Sequence, residues 1–108
     1  MINITVHKTK ELFDGFVVEG HAYYDEFGMD IVCAAVSILS TTALNSMNEV
    51  AGLSEDDILF DVDEDGFLKL KTLKNNDITD ILYKNFIVGI QLLLENYSDY
   101  ITLKLEEV

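Results

Sequence analysis

Several residue types are scarce in this sequence of 108 residues, which has one cysteine, no proline and no tryptophan. A single cysteine cannot form a disulfide within the chain, which agrees with a reducing compartment, and it excludes a zinc finger built from protein ligands alone. No run reaches the roughly 18 consecutive apolar residues of a membrane helix, and the N-terminal MINITVHKTK lacks the apolar core of a signal peptide. We therefore expect a cytoplasmic protein without a membrane partner.

Basic residues are also scarce: seven Lys and Arg stand against 20 Asp and Glu, and the net charge is -13. Such a charge repels nucleic acid phosphates and anionic lipids. A basic protein partner is one interpretation, and an acidic surface that only keeps the protein soluble is the other. We expect no direct nucleic acid partner.

The chain length and a hydrophobic content of 49% predict one domain over residues 1–108. Alternation of apolar and polar residues predicts five strands. Their apolar positions are Ile2, Ile4 and Val6; Phe16 and Val18; Ile58, Phe60 and Val62; Leu68 and Leu70; and Ile101, Leu103 and Leu105. KTKELFDG carries the first turn, and the third and fourth strands form a hairpin that turns at Asp65-Gly66.

Two segments with apolar residues at helical spacing predict helices. The first is a long, mostly buried helix from about Met29 to Ala51, which stops near Gly52. Asp77 can cap the second helix. The predicted buried positions are Ile31, Ala35, Ile38, Leu39, Leu44, Met47, Val50 and Ala51 in the first helix, and Ile78, Ile81, Leu82, Phe86, Ile90, Leu93 and Tyr97 in the second.

The resulting order, ββαββαβ, lacks the strand-helix-strand rhythm of a doubly wound fold. It favours an α+β two-layer sandwich with both helices packed on one face of the sheet. The absence of proline and the presence of an edge strand leave room for dimerisation.

Residues 61–66, DVDEDG, match the opening of a calcium-binding loop. The twelfth position of such a loop holds a glutamate, but here it is Thr72, and FLKLK between them alternates like a strand. We therefore interpret Asp61, Asp63 and Asp65 as a solvated hairpin tip with Gly66 in the turn, and expect no metal ion and no cofactor.

The only cysteine, Cys33, lies close to a predicted helix start. Asp30 is a good N-cap and would place Cys33 in the first helical turn, where free N–H groups and the helix dipole stabilise a thiolate and an oxyanion. His21 is a candidate base for a cysteine nucleophile, and Gly28 permits a turn or hinge before the helix. Ser37 lies one turn after the cysteine, on the same helical face.

Other interpretations of these residues stay open at this point. A lone cysteine in IVCAAVS is most often a small buried hydrophobic residue, and a histidine near a strand end is most often a polar loop residue. His7 is expected to be such a surface residue. A metal site made of His21, Asp25, Asp30 and Cys33 matches no standard ligand spacing.

The ordered set GHA, then G-x-D-I-V-C-A-A-V-S, then Thr42 and Asn45 resembles the ribosomal-processing cysteine protease family, Prp. The resemblance implies that His21 and Cys33 form a catalytic dyad, and that Gly20, Gly28, Asp30 and Ser37 support the site. Tyr23, Tyr24 and Phe27, in the loop before the helix, are expected to contact the substrate.

The resemblance also implies a function in ribosome biogenesis. The expected enzyme is a hydrolase of the thiol protease type that removes the N-terminal extension of a basic large-subunit ribosomal protein, the one numbered twenty-seven, after an aromatic residue. The resemblance further implies that the protein forms a homodimer. The alternative is a noncatalytic ribosome-assembly or interaction module that binds a basic partner.

Overall fold

A computed structural model of the protein describes residues 1–20, 27–63 and 67–107, except for the side chains of residues 27–30. The elements are β1 (Ile2–Thr9), β2 (Leu12–Glu19), α1 (Phe27–Glu49), β3 (Ile58–Val62), β4 (Leu68–Thr72), α2 (Asp77–Tyr97) and β5 (Ile101–Glu107), with a short 3-10 helix at Glu55–Asp57 before β3. The predicted order ββαββαβ is confirmed.

The five strands form one mixed sheet in the order β3-β4-β2-β1-β5. Neighbouring strands are antiparallel except β1 and β5, which are parallel. The two helices pack on each other; α1 also contacts β4, and α2 contacts β2 and β5. The α+β fold class is therefore confirmed, and β3 and β5 are the edges of the sheet.

The core lies between the sheet and the helices and is centred on Phe16 of β2, which is fully buried. Its ring stacks on Phe86 at a centroid distance of 4.1 Å and meets the edge of Tyr83 at 6.1 Å. Since both partners belong to α2, these aromatic contacts fix this helix on the sheet.

The first two strands extend further into KTKELFDG than the alternation predicted, and only Lys10 and Glu11 form the turn. Lys10 adopts a φ of 60°, which tightens the connection. A β-bulge between β1 and β2 leaves Asp14 opposite no partner residue. The bulge interrupts the period of two, which explains why these strand ends were not recognised.

The bulge connects β2 to the start of α2 through buried polar groups. The Phe13 N–H donates to Asp80 Oδ1 at 2.9 Å, and Lys84 Nζ lies 2.8 Å from Asp80 Oδ2. Burial raises the pKa of Asp80, but the bonds from Lys84 and Phe13 outweigh it and hold the pKa below its usual range. The carboxylate is therefore ionised at neutral pH, where it holds α2 against the bulge.

Helix α1 is less buried than predicted. Its buried side chains form one stripe, Val32, Val36, Ser40, Ala43 and Met47. Ile31 and Ile38, which were expected in the core, are 45% and 65% exposed. The error arose because apolar residues occur all around this helix, so helical spacing alone does not identify the face that meets the sheet.

By length and composition, the segment Ile31–Glu49 of α1 is apolar enough to cross a membrane. Core helices of folded domains pass the same test. Its buried stripe belongs to the same core cluster as the inner residues of the sheet. We therefore interpret α1 as a core helix.

Helix α2 also differs from its predicted pattern. Its N-cap is Asn76, whose side chain accepts from the N–H groups of Ile78 and Thr79, so the prediction of Asp77 is wrong by one residue. The predicted core residues Ile78 and Ile81 are 48% and 54% exposed. Phe86 and Ile90 are buried as predicted, and the residues buried in place of Ile78 and Ile81 are Thr79, Asp80, Tyr83 and Ile87.

Candidate active site

Cys33 is half-buried in the wall of a cavity of about 130 Å³. The cavity lies between α1, the end of β2 and the facing ends of β3 and β4. Its lining residues are Ile2, Val18, Gly20, Cys33, Val36, Ser37, Ser40, Thr41, Val62, Asp63, Phe67 and Leu68. Cys33 therefore packs partly against the core and lines the cavity as well.

The start of α1 differs from the prediction. The helix begins at Phe27, so Asp30 lies inside it and is not its N-cap, and Gly28 is helical and does not form a turn before it. Cys33 is the seventh helical residue, in the second turn. The free N–H groups of a helix belong to its first four residues, so they lie about one turn before the cysteine. The helix start therefore stabilises a negative charge at Cys33 less than predicted, because the effect of the helix dipole falls off within the first turn.

Hydroxyl groups occupy the next turns of α1 beside the thiol. Ser37 is exposed and lines the same cavity as Cys33, as the spacing of four residues predicted. Ser40 is buried and donates its hydroxyl to the carbonyl of Val36, so its donor is occupied. The hydroxyl of Ser37 is therefore available to a ligand in this cavity.

Gly20 directly follows β2 and forms part of the cavity wall. Its φ is +89°, and a Cβ at this position would collide with the backbone carbonyl oxygen of Met1. A side chain is thus excluded for two reasons, backbone conformation and space. Glycine here lets the chain leave the sheet beside the cavity, immediately before His21.

The β3–β4 hairpin contributes residues that the sequence did not identify as part of the site. Val62, Asp63 and Phe67 line the cavity. The Asp63 side chain accepts a hydrogen bond from the Phe67 N–H at 3.1 Å, and it brings the one charged side chain among the described lining residues. Alternation located this hairpin, but nothing local in the sequence indicates that its end meets α1.

Several predicted site residues lie outside the described residues. They are His21, Tyr23 and Tyr24, together with Asp25 of the possible metal set and the Asp65-Gly66 turn. Phe27, Gly28 and Asp30 are placed by their backbone only. In the part of the chain that the structure describes, no three His, Cys, Asp or Glu side chains are grouped to hold a metal ion.

Comparison with known proteins accounts for a cysteine in such a cavity. Residues 1–102 match the sequence model of the family described as cysteine protease Prp. The chain belongs to this family of ribosomal-processing cysteine proteases. The resemblance carried by GHA and the DIVCAAVS segment is thereby confirmed.

The Prp relatives cover nearly the whole chain. The ribosomal processing cysteine protease Prp of Staphylococcus aureus is 31% identical over 105 residues, 94% of each chain. The Bacillus subtilis Prp is 27% identical over 106 residues, 92% of each chain.

Solved structures show the same fold. A Streptococcus mutans protein matches with a TM-score of 0.84 and 31% identity over 100% of this chain and 99% of its own. S. aureus Prp with a covalently linked product peptide matches with a TM-score of 0.79 and 25% identity over 97% and 99%. The protein is therefore a cysteine protease.

Proposed function

We propose that this Prp protein is an endopeptidase that removes the N-terminal extension of the large-subunit ribosomal protein numbered twenty-seven, after an aromatic residue, using Cys33 and His21. One observation carries the assignment of the dyad. The only cysteine lines a cavity together with Gly20, the residue directly before His21 in the chain. Peptide cleavage by a cysteine nucleophile requires a base within reach of the thiol.

In the proposed reaction, Cys33 Sγ attacks the carbonyl carbon of the scissile peptide bond. The proton of the thiol passes to His21 and then to the leaving amine, and a thioester remains. Water, deprotonated by His21, hydrolyses the thioester and releases the extension with a free carboxyl group. The Ser37 hydroxyl, which lies in the same cavity, supports the oxyanion because the free helix-start amides lie one turn earlier.

The charge of the chain supports the proposed substrate. A net charge of -13 attracts a lysine-rich ribosomal protein and speeds its encounter with the enzyme at low salt. Tyr23 and Tyr24 precede the helix that carries Cys33 in the chain, and Phe27 is its first residue. We assign them contacts with the aromatic residue at the cleavage site, and we place the reaction in the cytoplasm.

The test is incubation of the purified protein with the extended ribosomal protein, followed by intact-mass spectrometry. We expect one new product whose mass corresponds to loss of the extension after an aromatic residue. Ribosomal protein without the extension is the control and stays uncut. If the extended protein binds but keeps its mass, the proposed substrate of this protease is wrong.

The second helix supports a homodimer. Four of its apolar side chains, Ile78, Ile81, Val88 and Leu92, are between 48% and 59% exposed and follow one another at steps of three, seven and four residues. They form an uncharged stripe opposite the buried face of α2. Two acidic copies repel each other elsewhere, so this stripe is the surface on which we propose that they meet.

Val88→Asp is expected to convert the proposed dimer into a monomer, because each interface would bury two carboxylates without partners. Light scattering after size exclusion measures the mass. The matched control is Leu73→Asp, at a residue 52% exposed outside the helices, and it should leave the dimer mass unchanged. A monomeric parent protein, or equal behaviour of both variants, contradicts the assignment.

A further inference from the structure

Helix α1 lines a further cavity in addition to the one that holds Cys33. A second cavity, of about 450 Å³, lies on the same side of the helix and is lined by Leu44, Asn45, Asn48, Glu55, Ile58 and Phe60. Helix α1 and the edge strand β3 contribute residues to both cavities. We call the two cavities together the α1–β3 groove.

The two walls of the α1–β3 groove differ in chemistry. Besides the apolar Val36 and Leu44, the helix wall carries small polar residues at steps of four, four, four and three positions, which places them on one side of α1. These residues are Cys33, Ser37, Thr41, Asn45 and Asn48. The strand wall consists of Ile58, Phe60 and Val62, alternate residues that point to the same face of β3.

The strand wall is open to solvent although its residues are apolar. Phe60 is 63% exposed and Val62 is 54% exposed, on the face of the sheet that elsewhere packs against the helices. The outer edge of β3 pairs with no other strand in the described part of the chain. An apolar edge strand beside an open groove is a site where an extended peptide can add as a further strand.

The size and charge of the groove define its ligand. From Cys33 to Asn48 the helix rises about 22 Å, at roughly 1.5 Å per residue. An extended peptide of about seven residues, at roughly 3.3 Å each, covers this length. The end remote from Cys33 is acidic, since Glu55 lines it and the exposed Asp56 follows.

We infer that the α1–β3 groove binds an extended segment of about seven residues of the polypeptide that Cys33 cleaves. The segment has apolar side chains where it passes Phe60 and Val62, and a basic group near Glu55. This inference rests on the proposed function, and it makes the groove a determinant of substrate specificity that acts beyond the residues next to the scissile bond.

The test compares Phe60→Ser with Leu59→Ser. Leu59 is the adjacent residue on β3, is also exposed at 51%, and points to the opposite face of the sheet. Three peptides are used: a short one with three residues on each side of the cleavage site, and two that add seven substrate residues on the amino or the carboxyl side.

Phe60→Ser is expected to raise KM about tenfold for one of the two longer peptides, since the loss of an aromatic contact weakens binding by roughly this factor. Leu59→Ser should stay within about twofold for every peptide, and the short peptide should not distinguish the variants. Equal effects of the two substitutions, or none for either longer peptide, would overturn the groove assignment.

The proposed function can fail separately. If the parent protein cleaves none of the peptides, the binding of both longer peptides is measured by fluorescence anisotropy with the parent and both variants. Weaker binding by Phe60→Ser alone retains the groove as a peptide site on a protein with another substrate. Identical binding by all three proteins rejects it.

Discussion

Cys33→Ser is expected to lower the rate of cleavage of the extended ribosomal protein by at least about a thousandfold, the scale seen when a catalytic nucleophile is removed. A serine hydroxyl is a much weaker nucleophile than a thiolate unless its site is built to activate it. The side chains have nearly the same shape, so the half-buried position is preserved. Rates are measured from the product mass under single-turnover conditions.

Ala34→Ser is the matched control for this substitution. It introduces the same hydroxyl at the adjacent, exposed residue of α1 and should leave the rate within about twofold. Circular dichroism establishes that both variants are folded. Cleavage by Cys33→Ser at the parent rate would show that the nucleophile is another residue, and the proposed mechanism would be wrong.

Phe16→Ala is expected to lower the free energy of unfolding by about 3–5 kcal/mol, the usual cost of truncating a buried phenylalanine. Phe16 has no exposed surface and contacts two rings of α2, Phe86 and Tyr83. The truncation would leave a cavity between the sheet and this helix. Since a domain of this size has a total stability of about 5–15 kcal/mol, the variant would be close to unfolding.

Urea denaturation followed by circular dichroism measures this loss. Leu73→Ala, at a residue 52% exposed in the loop before α2, is the control and should change stability by no more than about 0.5 kcal/mol. A loss below about 1 kcal/mol for Phe16→Ala would mean that the aromatic cluster does not hold α2 on the sheet.

The sequence predicted the elements better than their faces. Alternation located Ile2, Ile4 and Val6 correctly as buried positions of β1. In contrast, Ile38 and Ile81 have the spacing of core residues but are exposed. Spacing records only that two residues share one side of a helix, whereas the neighbouring elements decide which side is covered.

The candidate site was also predicted only in part. The motif around Cys33 identified the family, and Ser37 lies in the cavity of the cysteine as its spacing predicted. The helix start was misplaced, because Asp30 has the side chain of an N-cap but the helix already begins at Phe27. Capping preference is local, and it does not determine which of several possible starts the folded chain uses.

By itself, the sequence determined the negative charge, which is a sum over the composition. It also determined the order of strands and helices and the membership in a cysteine protease family, because these depend on patterns of residues close together in the chain. Only the tertiary structure decided that β3 is an edge strand and that Val62 and Phe67 lie beside Cys33. Those contacts join residues about 30 positions apart, and no local pattern records which distant segments pack together.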